Sequence, residues 1–274
     1  MAIPQLSPIT HLSLKWNMIE EESLSILEKF ELIKELGFDG VELDAPNDLP
    51  QEEVLAARDR TGLKIPGVIN SQHWKLPLTD PDPSVRRACR DSVVQAMDDT
   101  RRYGGDTVLV VPGVVDEKTS YKEAYGRAKK ELEQLLPHAE ATGVSIAVEN
   151  VWNGFLLSPL EAIDFIDSFG SKHIGWYFDV GNVLRYGRPI HWIEALGDRI
   201  LKVDLKEFSI RKMNEEGLWK GFDVPFGAGD CNWPAVLEAL TKVGYSGWAS
   251  VEVPGGDRQR LAAIKSEVDQ VLVG

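Results

Sequence analysis

Short apolar or β-branched runs alternate with longer stretches of helical spacing along the whole chain, about eight times over. A strand followed by a helix and then another strand builds a parallel sheet, because the helix is the crossover that returns the chain to the same end. The strand candidates are HLSLKW (His11 to Trp16), DGVELD (Asp39 to Asp44), KIPGVIN (Lys64 to Asn70), DTVLVVP (Asp106 to Pro112), VSIAVEN (Val144 to Asn150), IGWYFDV (Ile174 to Val180), ILKVDLK (Ile200 to Lys206) and WASVEVP (Trp248 to Pro254). Eight such units suit a closed β/α barrel better than an open sheet. Between them, SLSILEKFELIKELG, SVRRACRDSVVQAMDDTRRYG and YKEAYGRAKKELEQLLPHAEATG carry apolar residues at helical spacing and end on Gly, the residue that closes a helix most readily. No Pro/Ser-rich linker or composition break divides the chain. The expectation is an α/β protein, a single-domain (β/α)8 TIM barrel over residues 1–274. The longest stretch without periodicity, about Phe208 to Asn232, follows the seventh strand, where barrels carry lids and binding loops.

Charge narrows the partners. A net charge of -13 and a pI near 4.9 argue against a nucleic-acid backbone as the main partner, because that binding needs clustered Lys and Arg to release counterions. A small polar ligand is favoured. The two cysteines, Cys89 and Cys231, are far apart and lack metal-type spacing, so neither a disulfide framework nor a thiolate zinc site is implied. The start, MAIPQLSPITHLSL, has no basic segment followed by an apolar one, and no later stretch has the apolar length of a membrane span. These features lead us to expect a cytoplasmic protein with no membrane partner.

Alternation along a strand decides which side chains share the barrel interior. It puts Ser145, Ala147 and Glu149 on one face of the fifth strand, and Gly175, Tyr177 and Asp179 on one face of the sixth. Lys202, Asp204 and Lys206 share a face of the seventh, opposite Leu201, Val203 and Leu205, and Ser250 and Glu252 share a face of the eighth. Four successive strands thus point a carboxylate inward near their C-terminal ends, the end at which barrel active sites lie. Four converging carboxylates repel one another unless protons or a cation offset them. A divalent metal is the simplest answer, and all-oxygen ligation favours Mg²⁺ or Mn²⁺ over zinc. The alternative is that these acids pair with interior Lys or Arg, or cap the following helices.

The fifth-strand AVEN, sixth-strand FDVGN, seventh-strand VDLKE, the loop VPFGAGDCNW and the eighth-strand VEVPGG together resemble the xylose-isomerase-like sugar isomerase and epimerase superfamily. The likeness is nearest to its ketose-phosphate 3-epimerase and hexulose-phosphate isomerase branch, and runs from GFDGVEL through SQHWKLPLTDPDPSVRR to the C-terminus. It implies a metal bound by Glu149, Asp179, Asp204 and Glu252, with Glu149 and Glu252 also shuttling protons. Asp204 departs from the pattern, standing where the family has His. That exchange takes the ligand set from -3 to -4, so a divalent ion would leave about -2 uncompensated. Lys202 and Lys206 flank Asp204 on its face. Lys202 would neutralise it, or Lys206 would help to hold the site; the outcome is an oxygen-only Mg²⁺ or Mn²⁺ site or a lysine-paired one with weakened metal binding.

The resemblance also implies substrate contacts for His73 and Asn182. By itself His73 is a lone loop histidine, and Asn182 a turn-forming residue. Glu42 and Asp44 face inward at the end of the second strand, and Trp16, closing the first, is either an apolar wall for a sugar or part of the core. Phe226 and Gly227 belong to a closing lid or to a simple turn. Lys75, Arg211, Lys212 and Lys220 lie in candidate loops without forming a phosphate cradle.

The function expected is proton transfer next to a ketose carbonyl through an enediolate, as an isomerase or epimerase of a sugar or sugar phosphate. A dehydratase of a keto-polyol begins with the same step, and a non-catalytic sugar-binding barrel is the alternative outside enzymes. Apurinic endonuclease chemistry is disfavoured: that branch uses several zinc-binding histidines, and this chain has 5 His with no ligand-like cluster. The resemblance allows a homo-oligomer, since dimers are common among related barrels.

Overall fold

The computed structural model of the chain describes residues 7–273. Eight parallel strands close into one barrel in chain order, β1 (Ile9–Lys15), β2 (Gly40–Ala45), β3 (Gly67–Asn70), β4 (Thr107–Val110), β5 (Ser145–Glu149), β6 (Ile174–Asp179), β7 (Ile200–Leu205) and β8 (Gly247–Val251), with β8 pairing back onto β1. Around them lie α1 (Ile26–Glu35), α2 (Gln51–Thr61), α3 (Pro83–Tyr103), α4 (Tyr121–Glu133), α5 (Leu136–Thr142), α6 (Pro159–Asp167), α7 (Pro189–Leu196), α8 (Ile210–Glu216), α9 (Trp233–Lys242) and α10 (Arg258–Val273). The expected barrel is therefore the observed one.

Local chemistry explains the helix ends. Ser25 and Glu28, and Ser120 and Glu123, form reciprocal capping boxes at the starts of α1 and α4, satisfying amide groups that the first turn leaves free. Gly62, Gly104 and Gly143 close α2, α3 and α5 in the left-handed region, which a Cβ would disfavour. The stretch from Tyr121 to Gly143, expected as one helix, is two. Pro137 has no amide hydrogen and its ring conflicts with the carbonyl four residues back, so α4 stops at Glu133 and α5 begins at Leu136. The stretch Phe208–Asn232 also has more structure than its lack of periodicity suggested: it contains α8 and a 3-10 turn at Leu218–Phe222.

The main core lies between sheet and helices, where Ile146, Val148, Trp176, Phe178, Val203, Leu205 and Val251 are fully buried. Inside the barrel the apolar plug is small: Leu109, Ala147 and Tyr177, with Ile69 and Leu201 against them. Leu201 was expected on the helix side. The β6–β7 register slips between Trp176 and Tyr177, so that Trp176 faces Ile200 but Tyr177 faces Lys202. The extra residue is a bulge that turns Leu201 toward the interior beside Lys202. Beyond it alternation resumes, and Asp179 pairs with Asp204.

Candidate active site

Strand ends β5 to β8 deliver the carboxylates that alternation predicts. One oxygen from each of Glu149, Asp179, Asp204 and Glu252 lies within 4.8 Å of the others. Asp179 and Asp204 are fully buried, Glu149 nearly so, and the Glu252 side chain is 38% exposed. Asn150 fixes the seam between β5 and β6: its Nδ2 donates to the Asp179 carbonyl at 2.8 Å, and its Oδ1 accepts from the Asp179 amide and from Trp176 Nε1, both at 3.0 Å. Asp179 Oδ1 accepts the Asn182 amide at 2.7 Å, and Asn182 Nδ2 reaches Glu149 Oε1 at 3.4 Å. The DVGN turn thereby orients two of the carboxylates.

Two lysines interleave with the four acids. Lys206 Nζ stands 2.8 Å from Asp179 Oδ2 and 3.1 Å from Glu252 Oε1. Lys15, at the end of β1, lies 2.8 Å from Asp204 Oδ1 and 2.7 Å from Glu42 Oε2. Lys202, expected as one partner for Asp204, is not it. The β7 bulge leaves it one step lower, against the Pro66 carbonyl at 2.5 Å, Asp106 at 3.3 Å and Glu42 at 3.8 Å. Lys15 was legible in principle, because alternation puts Ser13 and Lys15 on the interior face of the first strand, with Leu12 and Leu14 opposite. Tyr177 completes the buried network, donating to Glu42 Oε2 at 2.8 Å.

These contacts split the proton affinities of the cluster. Burial raises Glu149 well above the usual carboxylate range, and the Glu252 charge adds to it. Burial raises Asp204 as well, against the pull of Lys15. Partial burial also works against ionised Glu252, but the charges of Lys206 and Lys15 and the hydrogen bond from Lys206 outweigh it and hold that carboxyl at about 2. Lys15 and Lys206 would lose protons through burial alone; the surrounding carboxylates reverse this and keep both charged.

The donor set fits a hard divalent cation. The ligand atoms are all carboxylate oxygens, the chemistry Mg²⁺ and Mn²⁺ take, and Asp204 Oδ2 is buried with no hydrogen-bond partner among the described residues. Counting Glu42, which shares Lys15, and Lys202 beside it, five carboxylates against three lysines leave -2 when all are ionised, which a divalent ion cancels. The imbalance left by replacing His with Asp is thus met by Lys15, with Lys202 beside the Glu42 carboxylate that Lys15 also holds.

The remaining expected residues fall on different sides of the cavity wall. His73 is buried, accepts the Val111 amide on Nδ1 at 3.2 Å, and is pushed down to about 4 by burial. The ring is therefore neutral with its proton on Nε2, and it lines an inner cavity of about 210 Å³ with Asp44, Asn70, Glu149 and Glu252. Asn182 and Lys206 line an outer cavity of about 530 Å³ that shares Glu149 and Glu252. Glu42 lies beneath both, held by Lys15 and Tyr177. Trp16 packs on Phe30 of α1 with the Lys29 ammonium over its ring, and is absent from the lining of either cavity; its parity is opposite to that of Lys15. The outer walls are instead Trp74, Trp152, Trp219 and Phe222, which come from loops where alternation gives no guidance. Phe226 is buried against Trp233, and Gly227 is tied by its amide to Glu207 at 2.7 Å, which makes that segment a fixed turn.

A barrel with a carboxylate cluster at its C-terminal mouth defines a class, and comparison with known proteins identifies the family within it. Residues 30–271 match the model of the xylose isomerase-like TIM barrel family, and the chain belongs to that family. It is 27% identical over 249 residues to SgbU of Escherichia coli strain K12, provisionally named an L-ribulose-5-phosphate 3-epimerase, covering 85% of each chain. To L-ribulose-5-phosphate 3-epimerase UlaE of Escherichia coli O1:K1 it is 25% identical over 239 residues, covering 83% of this chain and 81% of the relative. Among solved structures, 3-keto-D-glucoside 4-epimerase YcjR of E. coli superposes with a TM-score of 0.79 at 18% identity, over 96% of this chain and 99% of that one, a likeness of fold.

Proposed function

We propose that the protein is an isomerase of ketose sugars, working as an epimerase that removes a proton next to the carbonyl and returns one to the opposite face. The observation that carries this is the pair Glu149 and Glu252. They come from strands β5 and β8, line both cavities, and have proton affinities displaced in opposite directions. Such a pair sets a stronger base and a weaker one at the same site, the complement a proton shuttle needs. The epimerase relatives of SgbU and UlaE type support the same chemistry.

Glu149, Asp179, Asp204 and Glu252 would hold a divalent ion, with Mg²⁺ or Mn²⁺ favoured by the oxygen donors. When bound, that ion supplies Lewis-acid stabilisation of negative charge on the ketose oxygens. The chain's own groups do the rest. One glutamate takes the carbon-bound proton and an enediolate forms; the other glutamate delivers a proton from its own side. Lys206 keeps Glu252 ionised and stands beside the position where negative oxygen develops. Neutral His73 offers an Nε2 hydrogen to a substrate hydroxyl without adding charge, and Asn182 holds the Glu149 carboxylate by its amide.

The test is deuterium wash-in from heavy water into a panel of ketoses, with Mn²⁺ added, followed by NMR. Incorporation at C3 is expected, with loss of at least about 10²-fold in rate for Glu149→Gln and for Glu252→Gln. Wash-in at C1 or C2 would make the enzyme an aldose-ketose isomerase, and net release of water would make it a dehydratase. Exchange that survives both substitutions would remove the two glutamates from the mechanism.

A further inference from the structure

The two cavities that meet at Glu149 and Glu252 differ in kind. The inner one is small and polar, with Asp44, Asn70, Ser71 and His73 around it. It suits the hydroxyls of a sugar, each of which needs a partner once out of water. The outer one is more than twice as large, and beyond the groups at its base it is walled by Trp74, Trp152, Trp219 and Phe222. A further cavity of about 380 Å³ continues past Trp219, Phe222 and Pro254. A bare ketose in the inner cavity would leave this aromatic space unused.

The aromatic wall is built rather than incidental. The Trp152 ring lies 4.9 Å from Phe222 at 36° and 4.9 Å from Trp219 at 37°, and meets Phe208 edge-on at 5.6 Å. The Arg185 guanidinium covers it at 4.9 Å, and its Nε1 donates to the Asn182 carbonyl at 2.8 Å. Against this fixed ring, Trp219 is 69% exposed and Trp74 52%. Large rings left open at the mouth of a cleft mark a surface meant to be covered. Among the described residues of the inner and outer cavities a phosphate finds no such provision, and Lys220 on the further cavity lies 3.5 Å from Asp223. The cations lining the inner and outer cavities are Lys15 and Lys206, each already 2.8 Å from a carboxylate, so a phosphate dianion would face Glu149 and Glu252 without a free cation to offset them.

We infer that the substrate has two unlike ends: an unphosphorylated sugar bearing the ketone, which enters the inner cavity, joined by a glycosidic link to a ring with a flat apolar face, which stacks on the open rings of Trp219 and Trp74, with Trp152 backing Trp219. The position of the ketone rests on the proton-shuttle reading of Glu149 and Glu252; the apolar ring rests on the aromatic wall alone. Stacking on a fixed tryptophan adds a specific attraction beyond area burial.

Matched probes test the two parts separately. The ring ketones of phenyl and of methyl β-D-glucopyranoside differ only in the outer group, the ring ketone of maltose carries a second sugar there, and D-fructose 6-phosphate carries a phosphate. Dissociation constants from titration calorimetry and deuterium wash-in from heavy water are both read, with Mn²⁺ present. The phenyl ketone should bind about tenfold more tightly than the methyl ketone. A gain of that size for the maltose ketone instead would identify the apolar ring as a sugar face. Trp219→Ala should collapse the preference toward one, Trp219→Phe should restore most of it, and Leu160→Ala, an exposed change on α6, should leave it intact. Equal binding of the phenyl, methyl and maltose probes, or tighter binding of fructose 6-phosphate, overturns the inference. It also falls if Trp219→Ala dissociates an oligomer in sedimentation while leaving the preference unchanged, since the ring would then belong to a subunit contact. Exchange without any phenyl or maltose preference refutes the two-ended substrate and leaves the shuttle standing; a preference without exchange in any probe upholds the aromatic site and refutes the shuttle.

Discussion

Lys15 shows how much one buried charge can settle. Its ammonium is almost without solvent and lies between Glu42 and Asp204, and removing one member of such a network leaves the others as uncompensated buried charges. Lys15→Met should therefore lower stability by about 3 kcal/mol, read as a shift of the urea midpoint at unchanged slope; a loss under about 0.5 kcal/mol would mean that Asp204 is neutral without it. His73 supplies the pH counterpart. Its folded value of about 4 lies below the ordinary 6.5 or so, so the unfolded chain binds the extra proton first as pH falls. Its contribution is fully present above about pH 6.5, declines between there and about pH 4, and amounts at most to about 3 kcal/mol. His73→Gln should flatten the stability profile over that window. An unaltered profile would show that the ring is solvated or already charged in the folded state.

Glu207 governs an element rather than a point. It follows Lys206 at the end of β7, is buried, and accepts from the Gly227 amide at 2.7 Å, the Cys231 amide at 3.3 Å and Trp233 Nε1 at 2.7 Å. A single carboxylate thus anchors the far end of the segment that carries α8, Trp219 and Phe222, and Gly229 packs so close that a Cβ there would meet Glu207 Oε1 at 2.4 Å. Glu207→Gln exchanges charge-assisted bonds for a weaker amide and should cost about 2 kcal/mol. Faster limited proteolysis confined to residues 208–232 is the accompanying sign; cleavage no faster than in the native protein would mean that aromatic packing alone fixes the segment. The strands were legible because alternation and length leave few choices for SIAVE or IGWYFD, and each observed strand lies within a few residues of its expected place. The split between α4 and α5 was signalled by Pro137, whose missing amide outweighed the apolar spacing around it. The bulge at Leu201 had no local signal, because it reflects closure of the whole barrel, and it moved Lys202 away from Asp204. The aromatic wall was illegible for a different reason: Trp74, Trp152 and Trp219 stand on loops, where no period relates sequence to direction.

At the scale of the whole molecule the barrel gathers charges of both signs that the chain keeps far apart in sequence, from Lys15 to Glu252. Closing β8 onto β1 brings Lys15 to Asp204, so the local charge is set by topology as much as by composition. Fold and carboxylate cluster were legible from strand order and alternation, and the family from the resemblance carried by motifs such as FDVGN and VEVPGG; the charge compensation by a first-strand lysine came only with the closed barrel. The sum of five carboxylates, with Glu42, and three lysines, with Lys202, is -2, inside a protein whose net charge is -13, and both levels favour uptake of a divalent cation by the folded state alone. A ligand that binds only the folded chain stabilises it by about 2.7 kcal/mol at a hundredfold excess over its dissociation constant. Mn²⁺ or Mg²⁺ should accordingly raise the melting temperature in a concentration-dependent way, and chelation should reverse it. Asp179→Asn removes one oxygen ligand and one charge, and should abolish most of the shift while leaving β6 intact by circular dichroism. A melting temperature insensitive to either ion up to millimolar concentration, with no metal retained on elemental analysis, would mean that Lys15 and Lys206 are the only cations this cluster accepts.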